Sequence, residues 1–392
     1  MSQHEKVRDI LLQRKEVLKM KHLAKIANIN ESTLSKFMNN QRELNEEQVE
    51  SIIQYLEEFY NFDRNDIDDR AKIIAIYNNK GGVGKTTICQ NIAAFFNILG
   101  SRVLLIDADP QGNLTDSVLG EEPLDDYEEG KIKDFYYACE STALELEGKS
   151  NHSPVNIAEV VMPVYETQDI SKRFDVIPTF DKLERLQSSF PDIVFDQSRN
   201  LFLETLKPIL DDYDYVFIDG APDKGILGRL ALGAADHVII PVWPNQRSVK
   251  GIKNLYNMLP VQKRSENYNL GAVMNSIFTT FKFFRDEMQA FRENMQQSLP
   301  VFDQSIRMNL HIAQASLLRV DIFRFEKFYR GDSKSPSNGY SDFLKFAYEL
   351  MIRMELITEE YAYREFKSDF KQLLEADAVQ PIYAEDYEET EL

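Results

Sequence analysis

The stretch KIIAIYNNKGGVGKTTICQNIAAFFNIL, residues 72–99, limits what this chain can fold into more than any other segment. A short β-branched run leads into three closely spaced glycines, then into a helical pattern closed by Gly100. A strand, a tight turn and a helix satisfy that order. Gly81, Gly82 and Gly84 would let the backbone wrap a phosphate chain without Cβ clashes. The amides from Lys80 through Val83 to Thr87 would then point inward, beside the positive end of the helix. Lys85 is placed to neutralise β- and γ-phosphates, and the Thr86 hydroxyl to hold Mg2+. The strict phosphate-loop pattern asks for glycine five positions before Gly84, where Asn79 stands; Lys80 sits just inside the loop instead. A glycine turn with an accidental Gly-Lys-Thr is the plain alternative, and the flanking strand and helix argue against it.

The same rhythm returns along the chain. RVLLID (102–107), FDVIP (174–178), YDYVFID (213–219) and DHVIIPV (236–242) are apolar runs of the kind buried in a parallel sheet. Helical patterns at 199–212 and 248–259 separate them, so the expected fold is an α/β doubly wound, mostly parallel sheet. Asp219 ends one strand, where a carboxylate reaches a phosphate-bound Mg2+ directly or through water. Asp107 and Asp109 end another, at the edge where open α/β sheets bind ligands. One of the two is expected to orient an attacking water, and the other to cap structure or touch the metal through water.

These residues carry a resemblance. KGGVGKTT with its early lysine, then VLLIDADPQGNLT and YDYVFIDGAP, resembles the ParA/MinD group of deviant-Walker ATPases, and DPQGNLT resembles its ParA partition branch. FDVIPTFDKLE, ADHVIIPVWP and VFDQSIRMNLHIAQA follow the family's order, so the likeness covers roughly residues 72–330. It implies ATP and Mg2+ as ligands. Lys80 would be the signature lysine that crosses a nucleotide-sandwich dimer, Asp109 the water-positioning carboxylate and Asp219 the Walker B aspartate. Asn275, in GAVMNSIF, falls where the family places an adenine contact. Two departures stand out: Gly220-Ala221-Pro222 replaces a Cys-Pro-Pro, and IRMN (306–309) lacks the family's proline.

Residues 1–60 read as successive helices, with no Gly or Pro before Gly81. Within them, LAKIANINESTLSKFMNNQREL (23–44) has helix-turn-helix spacing: Asn28 suits the turn and Asn30 can cap the second helix. Its outward set, Glu31, Ser32, Ser35, Lys36 and Asn39, with Thr33 beside them, suits base edges and phosphates. A helical dimerisation module with a merely solvated surface is the alternative. The resemblance includes a subtype with an added helix-turn-helix that represses its own partition operon.

Charge sorts the remaining classes. The chain of 392 residues carries a formal net charge of −19, which disfavours a protein that coats nucleic acid or anionic membrane. Yet residues 1–42 hold nine Lys/Arg against four Asp/Glu, while 43–70 hold two against ten. Arg247, Lys250 and Lys253 share a face by spacing, and 307–330 is mildly basic, so these residues with Arg307 and Arg319 are candidate nonspecific DNA contacts. Two cysteines exclude a disulfide framework, and no signal-peptide pattern or membrane-length apolar run occurs. The expected division is a helix-turn-helix domain (1–60), a linker (61–71) and an ATPase domain (72–371), then a solvated acidic tail (372–392). An acidic insertion (120–165) interrupts the ATPase domain. The expected protein is cytoplasmic and free of membrane, and associates with the nucleoid when bound to ATP. It dimerises on ATP, and a centromere-binding adaptor of ParB type stimulates it. A nucleotide-switched transcriptional regulator and a positioning ATPase for a protein cargo are the rival readings.

Overall fold

The computed structural model describes residues 7–8, 11–12, 20–60, 71–120, 122–149, 153–165, 172–195, 200–244, 269–277, 282–297, 299–330, 336–358 and 360–377. Three helices, α1 (Met20–Ile26), α2 (Glu31–Met38) and α3 (Glu46–Tyr60), enclose a small core of their own. Leu23, Leu34, Phe37, Ile52 and Leu56 are fully buried in it. Asn28 takes φ 51° between α1 and α2, and the Asn30 side chain accepts the Thr33 N–H at 2.8 Å. Asn45 and Gln48 exchange hydrogen bonds at the start of α3, a reciprocal cap.

From Lys72 the chain builds an eight-stranded sheet in the order β3-β4-β2-β5-β1-β6-β7-β8. The strands are β1 (Lys72–Ile76), β2 (Val103–Ala108), β3 (Met162–Pro163), β4 (Phe174–Ile177), β5 (Tyr215–Gly220), β6 (His237–Val242), β7 (Asn269–Ile277) and β8 (Val301–Arg307). All neighbours are parallel except β3 with β4, a short edge pair ending in a proline. Side chains alternate between faces, as strand period demands. Ile73 and Ala75 join one core, while Ile74 and Ile76 join the other.

The first core packs under α7 (Phe135–Leu146), α10 (Leu201–Leu206) and α11 (Ile226–Ala234). The second packs under α4 (Lys85–Ile98), α14 (Ile322–Phe328), α15 (Asn338–Arg353) and α16 (Tyr363–Ala376). The remaining helices are α5 (Asn113–Leu119), α6 (Glu122–Glu128), α8 (Arg185–Ser189), α9 (Pro191–Phe195), α12 (Lys282–Gln296) and α13 (Leu310–Leu317). At the end of α4, Gly100 takes φ 92° and the Ser101 N–H reaches Phe96 O, the left-handed close expected there.

Three expectations change. The segment 120–165 is built into the domain: Phe135, Ala138 and Cys139 are buried in the first core, with Asp134 buried beside them, while Asp125, Asp126, Glu128 and Glu129 face outward. The helical pattern at 199–212 divides into α10 and a 3-10 turn (Lys207–Asp212), because Pro208 cannot continue an α-helix. The acidic tail begins later than residue 372: α16 runs to Ala376, with Leu374 and Asp377 buried. The stretch 61–70 and the pattern at 248–259 lie outside the described residues.

Candidate nucleotide site

β1 ends at Ile76 in the middle of the sheet, and its register sets Ile76 beside Asp219 on β5. β5 in turn sets Asp219 beside Asp107 on β2. Three neighbouring strands therefore deliver the glycine loop and both carboxylates to one carboxyl edge. In the loop, Gly82 and Gly84 take φ 70° and 85°, a region that side-chain-bearing residues avoid. Nothing lies within 4 Å of a Cβ built at Gly81 or Gly82, so the loop keeps an open face. Gly84 is closed on its other side, where a Cβ would fall 2.0 Å from Asn275 Nδ2. Asn275 donates from that atom to Val83 O at 2.8 Å, bracing the loop from β7.

The α4 N-terminus follows directly, with no side-chain cap at Gly84. Its first amides and its dipole face whatever anion occupies the loop. Lys85 is 7% exposed. Burial lowers its pKa, opposed by Asp219, Asp109 and Asp223. The Thr86 hydroxyl donates to Asp219 Oδ2 at 2.6 Å, and Thr87 lies half-buried one residue on. Asp219 is fully buried, its Oδ1 has no hydrogen-bond partner, and burial pushes its pKa up to about 7 against the pull of Thr86 and Lys85.

Asp107 does bracing work. It accepts the N–H and the hydroxyl of Thr115, both at 2.8 Å, and the Asp109 N–H at 3.1 Å. Thr179 extends the chain, donating its hydroxyl to Asp107 O and its N–H to Thr115 Oγ1. Asp109 is 5% exposed and accepts the Gln111 N–H; burial raises its pKa, offset by that bond and by Lys85. Gly112 lets this loop pass Thr179, whose carbonyl would lie 2.9 Å from any Cβ there.

Sequence reasoning missed several contributors. Asn78 donates to Pro241 O at 2.7 Å and accepts the Lys80 N–H at 3.1 Å, tying the loop entrance to β6. The Tyr77 hydroxyl donates to Asp223 O, and its ring fills the space beside Gly220 and Gly228. A Cβ at Gly220 would lie 2.9 Å from Tyr77 Cδ2, so the ring packing favours glycine there. Asp223 adds a further carboxylate near Lys85 and Asp109. Polar residues flanking the glycine motif were the available signal for Tyr77 and Asn78; the pairing of β1 with β6 was not visible.

The DNA-contact candidates are scattered. Ser32, Ser35, Lys36 and Asn39 are exposed on α2, as expected, whereas Thr33 turns into the helical core at 8% exposure. Arg307 is paired bidentately with Asp342, its closest contact 2.6 Å, rather than offered as a lone cation. Arg319 is half-buried, its guanidinium against Gly120. Arg324 is fully buried, so the basic count at 307–330 overstates the surface charge. Arg247, Lys250 and Lys253 lie outside the described residues. No described helix is long and apolar enough to cross a membrane.

Comparison with known proteins places this geometry. Residues 71–272 match the AAA domain family. The sporulation initiation inhibitor Soj of Bacillus subtilis is 35% identical over 200 residues, 51% of this chain and 69% of its own length. A ParA family protein of Chlamydia trachomatis is 31% identical over 290 residues, 73% of this chain and all of its own. Among solved structures, the ATP complex of Cyanothece McdA overlays with a TM-score of 0.55 at 20% identity, covering 73% of this chain and 97% of that one, which speaks to fold. With a matched domain over half its length and a relative aligned end to end, the chain belongs to the ParA family of P-loop ATPases.

Proposed function

We propose that the chain is an ATPase for DNA partition that cycles between an ATP-bound dimer holding bulk DNA and a released ADP state. The supporting observation is the pair Thr86–Asp219 beside Lys85: a buried carboxylate with one oxygen bonded to the loop threonine and the other without a partner. An orphaned buried oxygen costs stability unless a ligand meets it. That donor set fits Mg2+, which keeps few protein ligands and completes its shell with phosphate and water. Thr86 and Asp219 would hold the ion, which supplies charge neutralisation at the β- and γ-phosphates.

The chain's own groups then divide the work. The loop amides and Lys85 bind and orient the triphosphate. Asp109, held by its N–H on Asp107 and by the Gln111 N–H on its carboxylate, orients the water that attacks the γ-phosphorus as the bond to the β-phosphate oxygen breaks. Lys80 reaches the phosphates of a second copy, so hydrolysis waits for dimerisation. Asn275 braces the loop near the base. A centromere-binding adaptor of ParB type stimulates turnover, and the α1–α2 pair binds an operator through Ser32, Ser35, Lys36 and Asn39. The exposed polar face of α2 also favours the second reading, a nucleotide-switched regulator.

The test is retention of nonspecific duplex DNA by the full chain with Mg-ATP, with ADP, and as Asp109→Ala with ATP. Retention only with ATP, prolonged in the variant and weakened steeply by salt, is expected. Absence of DNA retention in the ATP state at low salt would remove the partition reading. Operator repression that survives in Asp109→Ala while cargo segregation is unaffected would favour the regulator.

A further inference from the structure

Trp243 is the sole tryptophan of the chain. It follows β6 at the carboxyl edge and is 44% exposed, unusual for a residue of its size. The Lys80 ammonium stands 5.6 Å from the centroid of its ring, within reach of the attraction between a cation and the ring face. The backbone enforces this meeting. Asn78, 5% exposed, accepts the Lys80 N–H and donates to Pro241 O, two residues before Trp243. The Lys80 main chain is therefore tied to the strand that carries the ring, while its four-carbon stem stays rotatable. Lys85, not Lys80, sits beside the carboxylates of the site.

We propose that Trp243 is a positioning residue for Lys80, holding its ammonium on the indole face until nucleotide phosphates compete for it. This rests on the reading of Lys80 as a phosphate-binding lysine. At a half-exposed ring the attraction is weak, equivalent to about two- to fivefold in an equilibrium. A triphosphate carries several negative charges and outcompetes it, so the ring sets a threshold rather than a block. Phenylalanine presents a weaker ring face, and leucine presents none.

A single tryptophan makes the test direct. Intrinsic emission of the full chain is recorded with and without Mg-AMPPNP, for wild type and Lys80→Met. In the wild type, nucleotide shifts the emission; the nucleotide-free variant already emits like the loaded wild type and shifts no further. Identical nucleotide-free emission in the two proteins would overturn the proposal, whether or not nucleotide binds. Calorimetric titration with Mg-AMPPNP separates the premises. No binding would remove the nucleotide-site reading, whereas binding with the same emission shift in Lys80→Met would remove only the role of Trp243. The AMPPNP concentration for half-maximal dimerisation should fall about two- to fivefold in Trp243→Leu, with Trp243→Phe between, and three equal midpoints count against it.

Discussion

Helix α4 carries a cluster of buried charge at each end, and the two are resolved in opposite ways. At its first turn, Lys85, Thr86, Asp109 and Asp219 share a pocket in which Asp219 Oδ1 has no partner. At its last turn, Asn97 accepts from Arg324 Nη2, whose Nη1 meets Asp321 and whose Nε meets Asp377, each at 2.9 Å. The Tyr165 ring covers the guanidinium at 4.5 Å, and the Tyr165 hydroxyl donates to Asp321. Burial alone would lower the Arg324 pKa, but Asp321, Tyr165 and Asp377 raise it beyond any working pH. One end is a satisfied network that fixes shape, and the other keeps strain where a ligand would enter.

The largest effect should come from breaking the open end. Asp219→Ala or Lys85→Ala should lower ATP hydrolysis by about a thousandfold, measured as phosphate release, since each removes an electrostatic contact to the transferred group. Asp219→Asn should be equally inactive yet unfold at a higher temperature in the absence of nucleotide, because it removes a buried charge that Thr86 and Lys85 compensate only in part. A lower unfolding temperature would dissolve the contrast between the two ends.

Breaking the closed end should leave chemistry aside and cost stability. Arg324→Leu strands Asp321 and Asp377 without their cation and should destabilise the domain by about 3–5 kcal/mol, measured by chemical denaturation. Near-neutral stability would mean that the network is dispensable packing.

Asp134 lies between these extremes. It is fully buried, accepts the Phe180 N–H at 3.1 Å with Oδ2, and its Oδ1 has no partner; burial raises its pKa to about 6. The folded protein keeps a proton that the unfolded chain loses from about pH 4, so this group penalises folding above pH 6 and the penalty fades as pH falls through 6. Asp134→Asn should therefore stabilise at pH 7 by up to about 3 kcal/mol, with the gap to wild type narrowing by pH 5. A gap independent of pH would mean that its ionisation is not coupled to folding.

How much of this could be read from the chain follows the same division. The glycine turn and the strand-end positions of Asp107, Asp109 and Asp219 were legible because each is set by a few consecutive residues. The closed network was not: Arg324 looked like part of a basic surface because its partner Asp377 lies 53 residues away, in a stretch read as solvated tail. Phe135 and Cys139 were hidden in the same manner, because the acidic residues ahead of them, Asp125, Asp126, Glu128 and Glu129, are exposed while they are buried. Local chemistry shows in local sequence. A pairing across elements shows only when the strand order is known, as with Asn78 and Pro241.

The parallel sheet has a practical corollary. Every loop of the phosphate pocket leaves the same edge, so the opposite edge, where the Arg102–Asp214 ion pair closes the starts of β2 and β5, is a mounting face. Asp211 is exposed on the turn that leads into β5, and both native thiols, Cys89 and Cys139, are buried. A dye on Asp211→Cys would thus ride on the rigid frame of the domain and report its travel while leaving the chemistry untouched.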